Sequence, residues 1–177
     1  MSPARRLAVT LRASDDDLAP ILALQDRAER LEDAPSVRAL GYAPHLTLGL
    51  FSGRRPEDAQ ASIASLAVPP SGFTLEFLRL RYFDGPSLVV WLEPEPHAAL
   101  HRMQSQLVDA MGPGGCDPHY TPDAWVPHCS IALAVPPHRL GETRALCAAE
   151  FKPFRVRFDR LDCVEFPPVE IVSSRKI

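Results

Sequence analysis

Hydrophobic and polar residues alternate in several short stretches of the chain, which is the pattern of half-buried β-strands. This pattern predicts strands near residues 7–11, 44–50, 73–82, 88–92, 127–133, 154–161 and 169–173. Between the strands, apolar residues recur every three or four positions. This spacing predicts a helix after Ser14, where Ser14 and Asp17 have the pattern of a capping box, helices with Pro56 and Pro96 at the first position, and a helix after Pro137. The chain therefore has the pattern of an α+β fold.

The predicted elements occur twice in the same order. Three segments of the first half match segments of the second at a nearly constant offset: Leu7–Leu11 with Leu88–Leu92, Pro44–Leu50 with Pro127–Leu133, and Phe73–Leu80 with Phe154–Leu161. We therefore predict a single bilobal domain over residues 1–177, with a strand-helix-strand-helix-strand unit at about 5–83 repeated at about 86–164. The two units are expected to form pseudo-symmetric lobes, with antiparallel sheets around a central cleft.

The second segment of each unit carries a histidine and a hydroxyl residue two positions apart. His45 and Thr47 share one face of their strand, and His128 and Ser130 share one face of theirs, because side chains alternate between faces. The residues between them are apolar and can pack under the helices. A single His-x-Thr triplet is usually structural, but a stability role does not explain why the same polar pair occurs twice. We therefore predict that the four residues face one cleft.

Two imidazoles and two hydroxyls in one cleft suit the transfer of a phosphoryl group. One histidine can deprotonate the attacking oxygen while the other protonates the leaving oxygen, and the hydroxyls of Thr47 and Ser130 can donate to the non-bridging oxygens. This chemistry requires no metal or other cofactor. Because one histidine must be neutral and the other protonated, the rate should show a bell-shaped dependence on pH with its maximum at about pH 6–8.

With these motifs, the sequence resembles the two-histidine (2H) phosphoesterase superfamily, and within it the branch of bacterial 2′-5′ RNA ligases and RNA 2′,3′-cyclic phosphodiesterases. The resemblance covers nearly the whole chain. It implies a metal-independent phosphodiesterase that opens 2′,3′-cyclic phosphates, or cleaves and joins 2′-5′ phosphodiester bonds, in RNA or small nucleotides. It also implies that His45 and His128 are the catalytic acid and base and that Thr47 and Ser130 bind phosphate.

Composition limits the partners. The 177 residues carry a formal net charge of −3, whereas a protein that binds a long polyanion along its backbone usually has a basic surface. We therefore expect the substrate to be an RNA end or a small cyclic nucleotide, and we do not expect DNA. The sequence shows no signal peptide pattern and no apolar run of membrane-spanning length, so we expect a cytoplasmic protein without a membrane partner, and a monomer.

Several other residues are candidates for binding. Arg79 and Arg160 occupy equivalent repeat positions and could hold a phosphate, or could be ordinary surface arginines. Tyr120, and less strongly the other aromatic residues near the motifs, could stack on a base; these others are Tyr42, Phe83 and Trp125. A zinc site could be imagined from His97, His101, Cys116 and His119, but their spacing matches no common zinc motif, and we predict no metal site.

Two other classes of function compete with the enzyme. A nucleotide- or RNA-end-binding module on the same fold could keep the pocket without turnover, although such a module has no need for both histidines. A purely structural protein would leave the duplicated polar pair unexplained. Turnover of a nucleoside 2′,3′-cyclic monophosphate in the presence of EDTA separates these classes.

Overall fold

The computed structural model describes residues 6–112 and 114–177. The strands are β1 (Arg6–Ala13), β2 (His45–Phe51), β3 (Phe73–Phe83), β4 (Leu88–Pro94), β5 (Cys129–Val135), β6 (Phe154–Phe166) and β7 (Glu170–Lys176). The helices are α1 (Ala19–Ala28), α2 (Pro56–Ser65), α3 (Ala98–Met111) and α4 (Leu140–Ala148). Each predicted strand and helix is present, with bounds that differ by a few residues.

All seven strands belong to one antiparallel sheet in the order β1-β2-β5-β4-β3-β6-β7. Strand β6 is long: its first residues pair with β3, and the remainder pairs with β1. The first six strands therefore form a closed ring of hydrogen-bonded neighbours. The prediction of an antiparallel α+β fold is confirmed, with the strands of both halves joined in one continuous sheet.

The register of the strands repeats the correspondence found in the sequence. Strands β2 and β5 pair at Leu46 and Cys129, which follow the histidines of the two motifs. The pairing of β3 with β6 is centred on Leu75 and Val156, which are each the third residue of matching segments. Each pairing thus joins a residue to its own repeat equivalent, as expected where a pseudo-twofold axis crosses the sheet. The division into repeats at about 5–83 and 86–164 within a single domain stays a prediction that this symmetry supports.

Helix starts show where local sequence patterns were misleading. Ser14 precedes a short 3-10 turn, and α1 begins only at Ala19, so the predicted capping box does not form. In the second half, Pro96 does not occupy the first position of the helix: α3 begins at Ala98, and the imidazole of His97 accepts a hydrogen bond from the Leu100 N–H. Pro56 does occupy the first position of α2, as predicted.

The apolar faces of the motif strands lie in the core. The side chains between and beyond the polar pair of each motif are fully buried, and they are Leu46, Leu48, Cys129 and Ile131. The polar face of each strand is thereby turned away from the core. None of the helices in the described residues has the length and apolar character needed to span a bilayer.

Candidate functional site

The four motif side chains line one cleft of about 720 Å³. His45 and Thr47 enter it from β2, and His128 and Ser130 enter it from the start of β5. Because Leu46 pairs with Cys129 and the strands are antiparallel, His45 lies beside Ser130 and Thr47 lies beside His128. Each histidine therefore has as its cross-strand neighbour the hydroxyl residue of the other half.

Both imidazoles are held by the same backbone interaction. The Nδ1 atom of His45 is 2.9 Å from the carbonyl oxygen of Ala43, and that of His128 is 2.7 Å from the carbonyl oxygen of Val126. Each acceptor residue precedes a proline, which restricts it to extended backbone and so fixes the direction of its carbonyl. Because a carbonyl only accepts, Nδ1 carries the proton in the neutral imidazole, and Nε2 keeps its lone pair.

Around His45 the cleft is polar. The Tyr42 ring packs against His45 with the ring centroids 4.8 Å apart. The Tyr42 hydroxyl donates to the fully buried carboxylate of Asp162 at 2.8 Å and lies 2.7 Å from the hydroxyl of Thr10. Asp162 also forms an ion pair with Arg12 at 2.8 Å. A hydrogen-bonded network therefore fixes the ring against which His45 rests.

Around His128 the cleft is aromatic. The rings of Phe83 and Trp91 stack with their centroids 4.7 Å apart, and the imidazole of His128 lies edge-to-face against them at 5.3 and 5.8 Å. The guanidinium of Arg81 lies 5.9 Å from the Trp91 ring and forms an ion pair with Glu93. The two halves of the site thus differ in polarity although their motif backbones are arranged alike.

These surroundings lower the pKa of both histidines below the ordinary value of 6.5. Burial is the main cause in each case, and the Nδ1 bond to the backbone carbonyl opposes it. For His45, the nearby His128 lowers the pKa further, while the Asp162 carboxylate raises it. Both imidazoles are therefore biased toward the neutral form, in which each Nε2 can accept a proton.

Among the three residues predicted as further substrate contacts, Tyr120 is the one that lines the cleft. Tyr120 is half-buried, its side chain interacts with Thr47, and its backbone carbonyl accepts a hydrogen bond from Gln104 at 2.7 Å. Burial raises the pKa of the Tyr120 hydroxyl, so it remains a neutral donor.

Of the other aromatic candidates, Tyr42 and Phe83 also line the cleft, whereas Trp125 is buried and donates to the Thr47 carbonyl at 2.9 Å.

Arg79 and Arg160 do not line the cleft. Arg79 is exposed and forms an ion pair with Glu93. Arg160 lies in β6, opposite Arg12 of β1. The structure therefore does not support the prediction that these two arginines contact the substrate phosphate.

The cleft also contains residues that the sequence analysis did not identify. Arg6 forms an ion pair with Asp117 at 2.9 Å, and Asp117 lies 3.1 Å from Nδ1 of the exposed His119. Leu50 and Leu133, which occupy equivalent repeat positions, also line it. Strict alternation places the two leucines on the face opposite Thr47 and Ser130, and register irregularities in both motif strands accompany their presence in the cleft. Arg6, Asp117 and His119 lie outside the matched repeat segments, so no repeat pattern identified them.

The residues considered for a zinc site are dispersed. His97 lies at the start of α3, the His101 ring is edge-on to Trp125 at 5.2 Å, and Cys116 and His119 flank Asp117. Within residues 6–112 and 114–177, no group of three or more histidine, cysteine or acidic side chains is arranged to hold a metal.

The role of the Tyr42 hydroxyl can be tested by its removal. Tyr42→Phe leaves the ring against His45 but deprives Asp162 and Thr10 of a buried partner, so we expect a loss of about 1–3 kcal/mol in the free energy of unfolding, measured with urea. Tyr82→Phe is the matched control, because its hydroxyl accepts an exposed bond from Arg144, and should cost less than about 0.5 kcal/mol. Equal stability of the two variants would contradict a structural role for the network.

The sequence matches a known family over most of its length. A family model described as the 2′-5′ RNA ligase superfamily matches residues 20–167. No curated protein matches the sequence.

Solved structures match over nearly the whole chain. The structure is similar to E. coli LigT complexed with NADP+ (18% identity, TM-score 0.60) and to a crystal structure described as a phosphoesterase (19% identity, TM-score 0.60), each over 99% of both chains. It is also similar to a conserved protein of unknown function, ATU0111 from Agrobacterium tumefaciens, at 10% identity and a TM-score of 0.53, over 99% of this chain and 85% of that one. At these identities the similarity shows the fold.

Proposed function

Because the chain belongs to the 2′-5′ RNA ligase superfamily of two-histidine phosphoesterases, we propose that it is a metal-independent phosphodiesterase. Its reaction opens 2′,3′-cyclic phosphates, or cleaves and joins 2′-5′ phosphodiester bonds, in RNA or small nucleotides. The observation that carries the proposal is the convergence of both histidines and both motif hydroxyls on one cleft. E. coli LigT, which has the same fold, has been crystallised with 3′-AMP, ATP and NADP+, and this supports a nucleotide as the ligand.

The two histidines would divide the proton transfers between them. One neutral imidazole accepts through Nε2 a proton from water as the water oxygen attacks phosphorus. The other imidazole is protonated, and it donates from Nε2 to the 2′ or 3′ oxygen as the phosphorus–oxygen bond breaks. The product is a phosphate monoester, and the histidines finish with exchanged protonation states. If a 5′ hydroxyl replaces water, the same transfers join two nucleotides.

The hydroxyls and the fixed tautomers complete the site. Thr47 and Ser130 would donate to the non-bridging oxygens, where negative charge grows in the transition state. The carbonyls of Ala43 and Val126 hold the Nδ1 protons, so each Nε2 is available for the substrate. The structure thus supports roles for His45, Thr47, His128 and Ser130 without assigning acid and base.

The direct test is turnover of a nucleoside 2′,3′-cyclic monophosphate in the presence of EDTA, with the products separated by chromatography. We expect a 2′ or 3′ monophosphate to accumulate at a rate that EDTA changes little. Loss of activity with chelator and its recovery with zinc or manganese would contradict the metal-independent mechanism. Tight binding without turnover would instead identify a nucleotide-binding module, the second candidate function.

The lowered pKa values of both histidines predict the pH dependence. The active form has one neutral and one protonated imidazole, and above both pKa values this form becomes scarcer as the pH rises. We therefore expect kcat/KM, which reports the free enzyme, to have its maximum below about pH 6.5 and to fall toward pH 8, a lower range than the one expected from the ordinary pKa of histidine. A bound phosphate raises the pKa values of the imidazoles, so the maximum of kcat should lie at higher pH. An increase of kcat/KM up to pH 8 would contradict this assignment.

A further inference from the structure

Strand β6 is paired on both sides over its second part. Residues 160–165 pair with β1 on one side and with β7 on the other. The side of β7 is also the side on which β3 pairs with the first part of β6, because Phe158 pairs both with Ala13 of β1 and with Phe73 of β3. Strand β7 therefore continues this side of β6 beyond the point where the pairing with β3 ends.

The equivalent part of β3 is paired on one side only. With the offset of 81 that relates the repeats, residues 79–84 correspond to residues 160–165. Residues 79–83 pair with β4, and within residues 6–112 and 114–177 no strand pairs with them on the other side. After β3 the chain turns into β4, the equivalent of β1, whereas after β6 it returns as β7 on the side away from β1. The first half therefore lacks a counterpart of β7.

The position of the missing strand is an open groove. It has a volume of about 440 Å³ and is lined by residues 79–82 of β3, by Asp84 and by Cys147 of α4. Helix α4 borders β3 as α2 borders β6 and β7 in the other half, and Arg144 of α4 donates to the Tyr82 hydroxyl at 3.2 Å. In the described part of the chain, alternate β3 residues thus direct N–H and C=O groups without a strand partner toward the groove, which is a template for a further strand.

The side chains beside this free edge are mainly cationic. Arg79 and Arg81 share one carboxylate, that of Glu93. With Arg144 and Asp84 included, three guanidiniums lie beside two carboxylates. A second copy of the chain would set the same cations against one another, and such charges oppose the pairing of like edges. A strand with acidic side chains would instead gain attraction across the pair.

We propose that the free edge of β3 binds an extended acidic peptide segment of a partner protein, which adds as a strand in the position that β7 occupies in the other half. Main-chain hydrogen bonds to residues 79–83 would provide affinity, and alternate side chains would provide specificity. Acidic side chains would contact Arg79 and Arg81, and the intervening apolar ones would lie on the side of the buried Leu80 and α4. This surface lies outside the catalytic cleft, so the inference does not depend on the proposed function.

The test titrates the full chain with a capped nine-residue peptide in which glutamate and valine alternate, and follows the backbone amides by NMR. We expect a dissociation constant below about 1 mM. Near saturation, hydrogen exchange should slow at alternate amides of residues 79–83, because they become donors to the added strand. Two control peptides should bind about tenfold more weakly or worse: one has proline in place of two valines, which prevents main-chain pairing, and the other has lysine in place of each glutamate.

Charge reversal in the chain tests the selection of an acidic strand. Arg79→Glu and Arg144→Glu each replace a cation beside the edge, and we expect each to weaken binding of the glutamate peptide by about threefold or more and to strengthen binding of the lysine peptide. Arg102→Glu is the matched control, because Arg102 is exposed on α3 and lies outside the groove, and it should leave both affinities within about twofold. Thermal unfolding of each variant establishes that it is folded.

The opposite results overturn the inference. Absence of binding of the glutamate peptide up to about 1 mM, or equal binding of the proline peptide, would show that the edge does not accept an acidic strand. Unchanged affinity in both folded groove variants would show that the cations do not select the partner. A single-stranded RNA hexamer without a cyclic phosphate that binds the same residues more tightly than the peptide would make the groove a nucleic-acid surface. Each of these results leaves the phosphodiesterase intact, because turnover is measured separately.

Discussion

Replacement of either His45 or His128 by alanine is expected to reduce kcat by about 10²–10⁴-fold, the usual contribution of one general acid or base. Each histidine is half-buried at the cleft, and its imidazole is held by the bond to a backbone carbonyl. The loss of that bond costs about 1 kcal/mol, so both variants should remain folded. The double variant should lose little more activity than either single variant, because the two residues act as a unit.

His138→Ala is the matched control for these variants. His138 is exposed in the turn before α4 and does not line the cleft, so its replacement should leave kcat within about twofold. Initial rates with a nucleoside 2′,3′-cyclic monophosphate provide the measurement, and circular dichroism establishes the fold. A folded His45→Ala or His128→Ala variant with near wild-type turnover would show that the two-histidine mechanism is wrong.

Replacement of Thr47 by valine or of Ser130 by alanine is expected to reduce kcat/KM by about 10–150-fold. This corresponds to a loss of about 1.5–3 kcal/mol, the contribution of a hydrogen bond to a charged group. If the hydroxyls stabilise mainly the transition state, the reduction should appear in kcat, and KM should change little. Thr47→Val retains the shape of the side chain, so its effect isolates the hydroxyl.

Thr74→Val provides the control for a threonine in a strand. Thr74 is exposed in β3 and lies outside the cleft, so this change should leave kcat/KM within about twofold. Losses smaller than about twofold in both Thr47→Val and Ser130→Ala would show that neither hydroxyl contacts the phosphate.

The motifs could be predicted from the sequence because their signal is local and occurs twice. Alternation indicated the face of His45 and Thr47, and the offset between the repeats identified His128 and Ser130 as their equivalents. The Asp162 network carried no comparable signal. A lone aspartate between Leu161 and Cys163 has the pattern of an exposed strand position, and only the pairing of β6 with β1 places it beside Thr10 and under Tyr42.

The arginines show why repeat equivalence does not predict contact. Arg79 and Arg160 are equivalent in sequence, but the partner of each is set by the neighbouring strand, and the neighbouring residues differ. Arg12 faces Arg160, whereas Glu93 faces Arg79. The ion pair between Arg12 and Asp162 also has a repeat equivalent, which is the ion pair between Glu93 and Arg81. In the second pair the acidic and the basic residue occupy each other's positions. Such cross-strand relations cannot be derived from local pattern.

The closed ring of strands has a consequence for the order in which the two halves are made. By symmetry, the pairing of β4 with β3 corresponds to the pairing of β1 with β6. Trp91 is close in sequence to its β3 partner Arg81, whereas Thr10 and its β6 partner Asp162 lie near opposite ends of the chain. The first pairing is a hairpin that closes quickly, while the second must close a loop of nearly the whole chain, and long-range pairing of this kind is slow. During synthesis, β1 therefore leaves the ribosome before the other six strands and is among the last of them to be paired on both sides.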